Sequence, residues 1–156
     1  MSMTGTQFGG EEAFQADPQR LYATLTDLDT LAASIPDLVS AERPDPQTLK
    51  CVVKPRFSFL RATLRMTIRL SDLDPPRSAT MHVESEGIGI SMQMTSSLNI
   101  ENEGTGSRLR WTATIDRVGG LMATVPAGLV KGAADQVIRQ AWQQVRVKLG
   151  EGEREA

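Results

Sequence analysis

Between Leu60 and Leu70 every even-numbered residue is apolar (Leu60, Ala62, Leu64, Met66, Ile68, Leu70) and every odd-numbered one is Arg or Thr. A strict period of two places all the apolar side chains on one face of a β-strand, whereas a helix would scatter them around its circumference. The same alternation recurs at Leu49, Cys51 and Val53; at Ala79, Met81 and Val83; at Ile88, Ile90, Met92, Met94, Leu98 and Ile100; and at Leu109, Trp111, Ala113 and Ile115. Turn-forming runs separate these segments, chiefly Ser71-Asp72-Leu73-Asp74-Pro75-Pro76-Arg77 and Glu103-Gly104-Thr105-Gly106. Consecutive alternating strands with short turns predict an antiparallel meander with one wet face and one dry face.

The flanking segments have a different period. A first strand is expected over about Thr4 to Phe14, with Gly9 and Gly10 marking a bulge or bend. Asp17-Pro18 supplies an N-cap acceptor followed by proline at the first helical position. Leu21, Leu25, Leu28, Ala32 and Ile35 then follow at helical spacing, with Asp27 and Asp29 dividing the run into two short helices and Pro36 ending it. Val39 to Glu42 reads as a short strand whose turn contains Pro44 and Pro46. At the far end, Met122, Val125, Leu129, Ala133, Val137, Ala141 and Val145 predict a long helix over about Leu121 to Leu149, with Pro126 in its first turn. Gly128 and Gly132 are expected to pack close to the sheet or to leave space beneath the helix. The order is strand, two short helices, six strands, long helix. This is an α+β chain with one domain over residues 1–149 and a frayed tail over 150–156. The long helix is the element able to cover the dry face of the sheet.

The chemistry-bearing residues are few. Hydrophobic residues make up 40% of the 156 and charged ones 23%, ordinary values for a globular chain, and a net charge of −2 argues against nucleic acid as a partner. The single cysteine, Cys51, excludes an intrachain disulfide, and on the apolar side of its strand it reads as a small hydrophobe. The start Met1-Ser2-Met3-Thr4 lacks a basic-then-apolar leader and no apolar run approaches a bilayer span, so a soluble cytoplasmic protein is expected. His82 is the one histidine and alternation turns it to the wet face. Glu12 would point inward only if Phe8 and Phe14 set the register of the first strand; solvent exposure is the default. No catalytic residue, metal site or cofactor emerges. The wet-face row Arg61, Arg65 and Arg69, with Lys50 and Lys54 beside it, is either a patch for docking an anionic partner or a solvated face balanced by Glu84 and Glu86.

The dry face collects Leu64, Met66, Ile68, Met81, Val83, Ile90, Met92, Met94 and Trp111 from the strands, with Met122, Val125, Leu129 and Ala133 from the last helix. Methionine suits irregular gaps and adaptable apolar sites alike, so spacing leaves core packing and a ligand cavity both open.

Four motifs bear on the choice. Asp17-Pro18-Gln19-Arg20-Leu21-Tyr22 resembles the helix opening after strand one in the START-like (SRPBCC) superfamily, whose members share a helix-grip (Bet v 1-like) fold. Leu31-Ala32-Ala33-Ser34-Ile35-Pro36, the turn Leu70 to Ser78 and Val118-Gly119-Gly120-Leu121 resemble stretches of one of its families, the CoxG family of carbon monoxide dehydrogenase subunits, in the same order. The resemblance implies a curved antiparallel sheet of about seven strands wrapped around the long C-terminal helix, with a lipophilic cavity between them. It implies a non-catalytic carrier of a lipophilic small molecule, a quinone or a lipid, accessory to a molybdenum-hydroxylase or CO-dehydrogenase-type redox enzyme. The alternatives are a polyketide cyclase or dehydratase-like enzyme and a pure assembly module. Two departures matter. Asp37-Leu38 stands where many members carry glycine and cysteine, and the sequence ends at Ala156 without the long tail of some members. Peripheral membrane contact without an autonomous anchor is therefore the expectation.

Overall fold

The computed structural model describes residues 5–35, 37–54 and 63–150, apart from the side chains of residues 121 and 122. Its strands are β1 (Thr6–Phe14), β2 (Leu38–Asp45), β3 (Thr48–Val53), β4 (Leu64–Asp74), β5 (Ser78–Gly87), β6 (Ile90–Glu103) and β7 (Gly106–Gly120). Its helices are α1 (Pro18–Leu25), α2 (Leu28–Ser34) and α3 (Ala127–Lys148), with a 3-10 turn over Leu121–Thr124. The strands form one curved antiparallel sheet in the order β1-β7-β6-β5-β4-β3-β2. It is the expected meander, with the first strand returning to lie beside the last.

Alternation explains the register. On β4, Leu64, Ile68 and Leu70 are buried while Arg65 and Arg69 are exposed. The cross-strand row Leu49, Ile68, Val83, Met94 and Ile115 runs across five strands on the inner face. The β6–β7 ladder slips by one residue at Asp116, whose carboxylate accepts from Thr95 Oγ1 at 2.6 Å. Such a bulge sharpens the local bend of the sheet.

The two short helices begin as their sequence dictates. Asp17 accepts from the Arg20 amide at 2.8 Å with Pro18 following, and Asp27 accepts from the Asp29 amide at 3.0 Å and from Thr30 Oγ1 at 3.0 Å. Each bond satisfies a helix-start group that has no partner within the helix.

Several expectations need correction. The β1–β7 pairing is continuous, so Gly9 and Gly10 mark no bulge. Gly9 is required by close approach, since a Cβ there would collide with the Trp111 carbonyl, and Gly10 lies close under the indole, where a Cβ would sit 3.2 Å from Trp111 Nε1. β2 runs through Pro44 to Asp45, which the ladder tolerates because β2 is an edge strand. β4 likewise continues to Asp74, leaving the turn to residues 75–77. Ile88 is 98% exposed in the turn between β5 and β6 and is not a strand residue. The last helix starts after Pro126, which occupies the N-cap position and lies outside the first turn. Gly128 and Gly132 are exposed, and a Cβ on either would meet nothing within 4 Å. They neither pack against the sheet nor lie above the cavity.

Candidate functional site: an apolar cavity between the sheet and the long helix

A cavity of about 230 Å³ lies between α3 and the inner face of the sheet. Its floor is Leu64, Met66 and Ile68 of β4, Met81, Val83 and Ser85 of β5, and Met92, Met94, Ser96 and Leu98 of β6. Its roof is Val130, Ala133, Ala134, Val137, Ile138, Ala141, Trp142 and Val145 of α3. Leu25, Leu31, Ser34 and Ile35 from α1, α2 and the residue after them close one flank, with Asp37 and Val53 beside them.

The roof residues recur at alternating steps of three and one, a broad stripe on a helix that turns ~100° per residue. Three of them are alanines, which draw the helix backbone in without filling the space below. On the floor, methionines flank the two serines. Ser85 sits between Met66 and Met92, and Ser96 has Met81 on one side and Ala113 on the other.

Of the residues expected to line a cavity, Leu64, Met66, Ile68, Met81, Val83, Met92, Met94 and Ala133 do line it. Four others lie elsewhere. Ile90 and Val125 belong to a neighbouring cluster with Cys51, Val53 and Ile115. Trp111 is 1% exposed behind the lining, edge-on to Phe8 at 6.0 Å and tilted against Trp142 at 5.9 Å. Leu129 is 50% exposed, because it lies ~130° around the helix from the middle of the roof. Met122 and Arg61 fall outside the described residues as far as their side chains are concerned.

Ser85, Ser96, Ala134, Ile138, Trp142 and the α2 flank were not anticipated. For the serines the signal was present: each occupies the next inward position of an alternating strand. The α2 contribution had none, because it depends on how that helix docks.

Apart from Asp37 at the flank, the ionisable groups singled out in the sequence stand apart from the cavity. Glu12 is on the inner face of β1, contrary to the default of solvent exposure, with its side chain 16% exposed. Arg146 Nη2 donates to Glu12 Oε1 at 2.7 Å and to the Ala13 carbonyl at 3.2 Å, and Arg139 Nη1 lies 3.5 Å from Glu12 Oε2. The Arg146 guanidinium also lies over the Phe14 ring, 4.6 Å from its centroid. This constellation pins the C-terminal part of α3 to β1. The buried Cys51 thiol is pushed above its ordinary pKa by desolvation. His82 Nε2 is 3.0 Å from Ser71 Oγ on the outer face, as its alternation implied. Arg65 lies 3.9 Å from Glu86, both well exposed, and Arg69 faces His82 across the ladder. Among the described residues there is no cluster of His, Cys, Asp and Glu able to hold a metal ion, and no helix long and apolar enough to cross a membrane.

A curved sheet gripping one long helix, with an apolar cavity between them, defines a helix-grip protein of the START-like (SRPBCC) superfamily. Residues 10–150 match the CoxG family of carbon monoxide dehydrogenase subunits, and the chain belongs to that family. No curated protein matches the sequence. Among solved structures, a conserved protein from Geobacillus kaustophilus superposes with a TM-score of 0.84 at 16% identity, covering 92% of this chain and 95% of that one. The structure of Ara h 8.0201 superposes with a TM-score of 0.67 at 15% identity, covering 91% and 95%. A protein from Chromobacterium violaceum gives 0.66 at 13% identity, covering 90% and 94%. At such identities these likenesses define the fold.

Proposed function

We propose that this protein is a non-catalytic carrier of a lipophilic small molecule, held between α3 and the sheet. The cavity carries this reading: about 230 Å³ of space walled almost entirely by aliphatic, methionine and alanine side chains. Apolar cavities of ~150 Å³ already take benzene, and ordinary ligand pockets begin near ~300 Å³. The space therefore suits a compact ring system. A longer tail would extend out of it.

Turnover is a poorer fit. Acid–base or nucleophilic catalysis needs ionisable groups within hydrogen-bond reach of the reacting atoms. Asp37 is the one ionisable residue along the described lining, and the Glu12 carboxylate is engaged by Arg146 and Arg139 outside it. The family description supports service to a carbon monoxide dehydrogenase, and the apolar lining suits a quinone or lipid as the cargo.

Native mass spectrometry and solvent extraction of the purified protein should reveal a co-purifying apolar molecule. Met92→Arg and Ala133→Trp, which place charge or bulk in the cavity, should abolish uptake while the protein stays folded. Uptake undiminished in both folded variants would refute this assignment of the site. Pull-down with the partner enzyme, compared before and after charge reversal at Arg65 and Arg69, tests the docking role of the outer face.

A further inference from the structure

The cavity floor contains two polar positions that packing does not explain. Ser85 is 4% exposed and Ser96 8% exposed, and both line the cavity. The other hydroxyls there are engaged locally: Thr24 Oγ1 donates to the Arg20 carbonyl at 3.0 Å, Thr30 Oγ1 to Asp27 at 3.0 Å, and Ser34 Oγ to the Leu31 carbonyl at 2.7 Å. No hydrogen bond to a described residue involves the Ser85 or Ser96 hydroxyl, and neither oxygen is among the fully enclosed unpartnered atoms of the described residues, which are Tyr22 Oη, Trp111 Nε1 and Trp142 Nε1; both serines instead line the cavity. A hydroxyl that opens onto an apolar space without a protein partner adds nothing to packing, and alanine would suit either position at least as well in an empty protein.

The geometry points to Ser85 and Ser96 as the donors that select an oxygen-bearing ligand, a flat apolar molecule carrying a carbonyl or ether acceptor. This rests on the carrier reading and narrows it. Met92, which pairs with Ser85, precedes Ser96 by four residues on β6, so the two serine Cα atoms are separated by roughly 14 Å at ~3.4 Å per residue and ~4.8 Å per strand. The two opposed oxygens of a single six-membered ring cannot reach both. A compact ligand is thus held by one serine, and the methionines beside each adapt to its ring edge.

The test compares acetylnaphthalene with isopropenylnaphthalene, a ketone and a hydrocarbon with the same number of heavy atoms, by calorimetric titration of wild type, Ser85→Ala, Ser96→Ala and the double variant. One of the single variants, and the double variant, should weaken ketone binding about three- to tenfold while hydrocarbon binding is unchanged or tighter. An unchanged ratio of the two affinities in all variants, with the hydrocarbon still bound, overturns the role of the serines and leaves the carrier reading standing. Failure of both probes to bind wild type overturns the carrier reading as well. The empty variants should melt at or above the wild-type midpoint. A lower midpoint in both single variants would make the hydroxyls structural and refute the proposal.

Discussion

Filling the cavity from its roof should make the protein more stable and less able to bind. Ala134 lies near the middle of the α3 stripe, one helical turn from both Val130 and Ile138. Ala134→Leu adds three carbons to a space of about 230 Å³, so there is room without displacing the floor. At ~0.8 kcal/mol per buried carbon the gain is at most about 2.4 kcal/mol. Fixing a leucine rotamer offsets about 0.5–1 kcal/mol of that. The net expectation is about 1.5 kcal/mol of added stability, read as a higher urea midpoint at unchanged m-value and a melting temperature raised by about 3–6 °C. Binding of a naphthalene-sized probe should fall at least about tenfold in the same variant. A loss of about 1–3 kcal/mol instead would mean overpacking, and hence a solid core where the structure has a void. That result would refute the reasoning.

Three other substitutions or conditions probe the surroundings. Gly132→Ala should stabilise α3 by about 0.5–1 kcal/mol in thermal unfolding, because the position is helical, exposed and free of contacts. Arg146→Ala should cost about 1–3 kcal/mol in denaturant titration, since it leaves the half-buried Glu12 carboxylate only its 3.5 Å contact with Arg139 and uncovers Phe14. Cys51 should resist thiol reagents in the native state and react on unfolding. Its folded pKa is raised, so the unfolded thiol ionises first as pH increases, and stability should decline above the ordinary thiol range and hold below it.

Much of the fold was legible because its determinants are local. The alternation along β4 fixes which face is dry, and Asp17-Pro18 and Asp27 mark helix starts through bonds to their own next turn. The roof of the cavity was harder to read. Steps of four residues from Leu129 through Ala133, Val137 and Ala141 advance ~40° each, so a stripe read by that rule starts off the buried face at Leu129, reaches the roof only from Ala133 onward, and misses Val130, Ala134 and Ile138. Glu12 shows a second limit. Alternation can place it inward, but Arg146 lies 134 positions away, and only the docking of α3 brings the two together. The glycines at 9 and 10 show a third: a residue that is small because of a neighbour across the ladder looks, in sequence, like one that bends the chain.

The arrangement at Arg146 makes the long helix mechanically unequal along its length. Near its C-terminal end one guanidinium is bonded to a carboxylate and a carbonyl of β1 and rests on an aromatic ring. At its other end Pro126 provides no side-chain cap, and a 3-10 turn joins the helix to β7. Displacing α3 from the sheet therefore breaks charged contacts if it starts at Arg146 and mainly apolar ones if it starts at Val130. The charged ties of α3 to β1 thus sit at Arg139 and Arg146, while its Val130 end is held through the apolar cluster around Cys51, Val53 and Ile115.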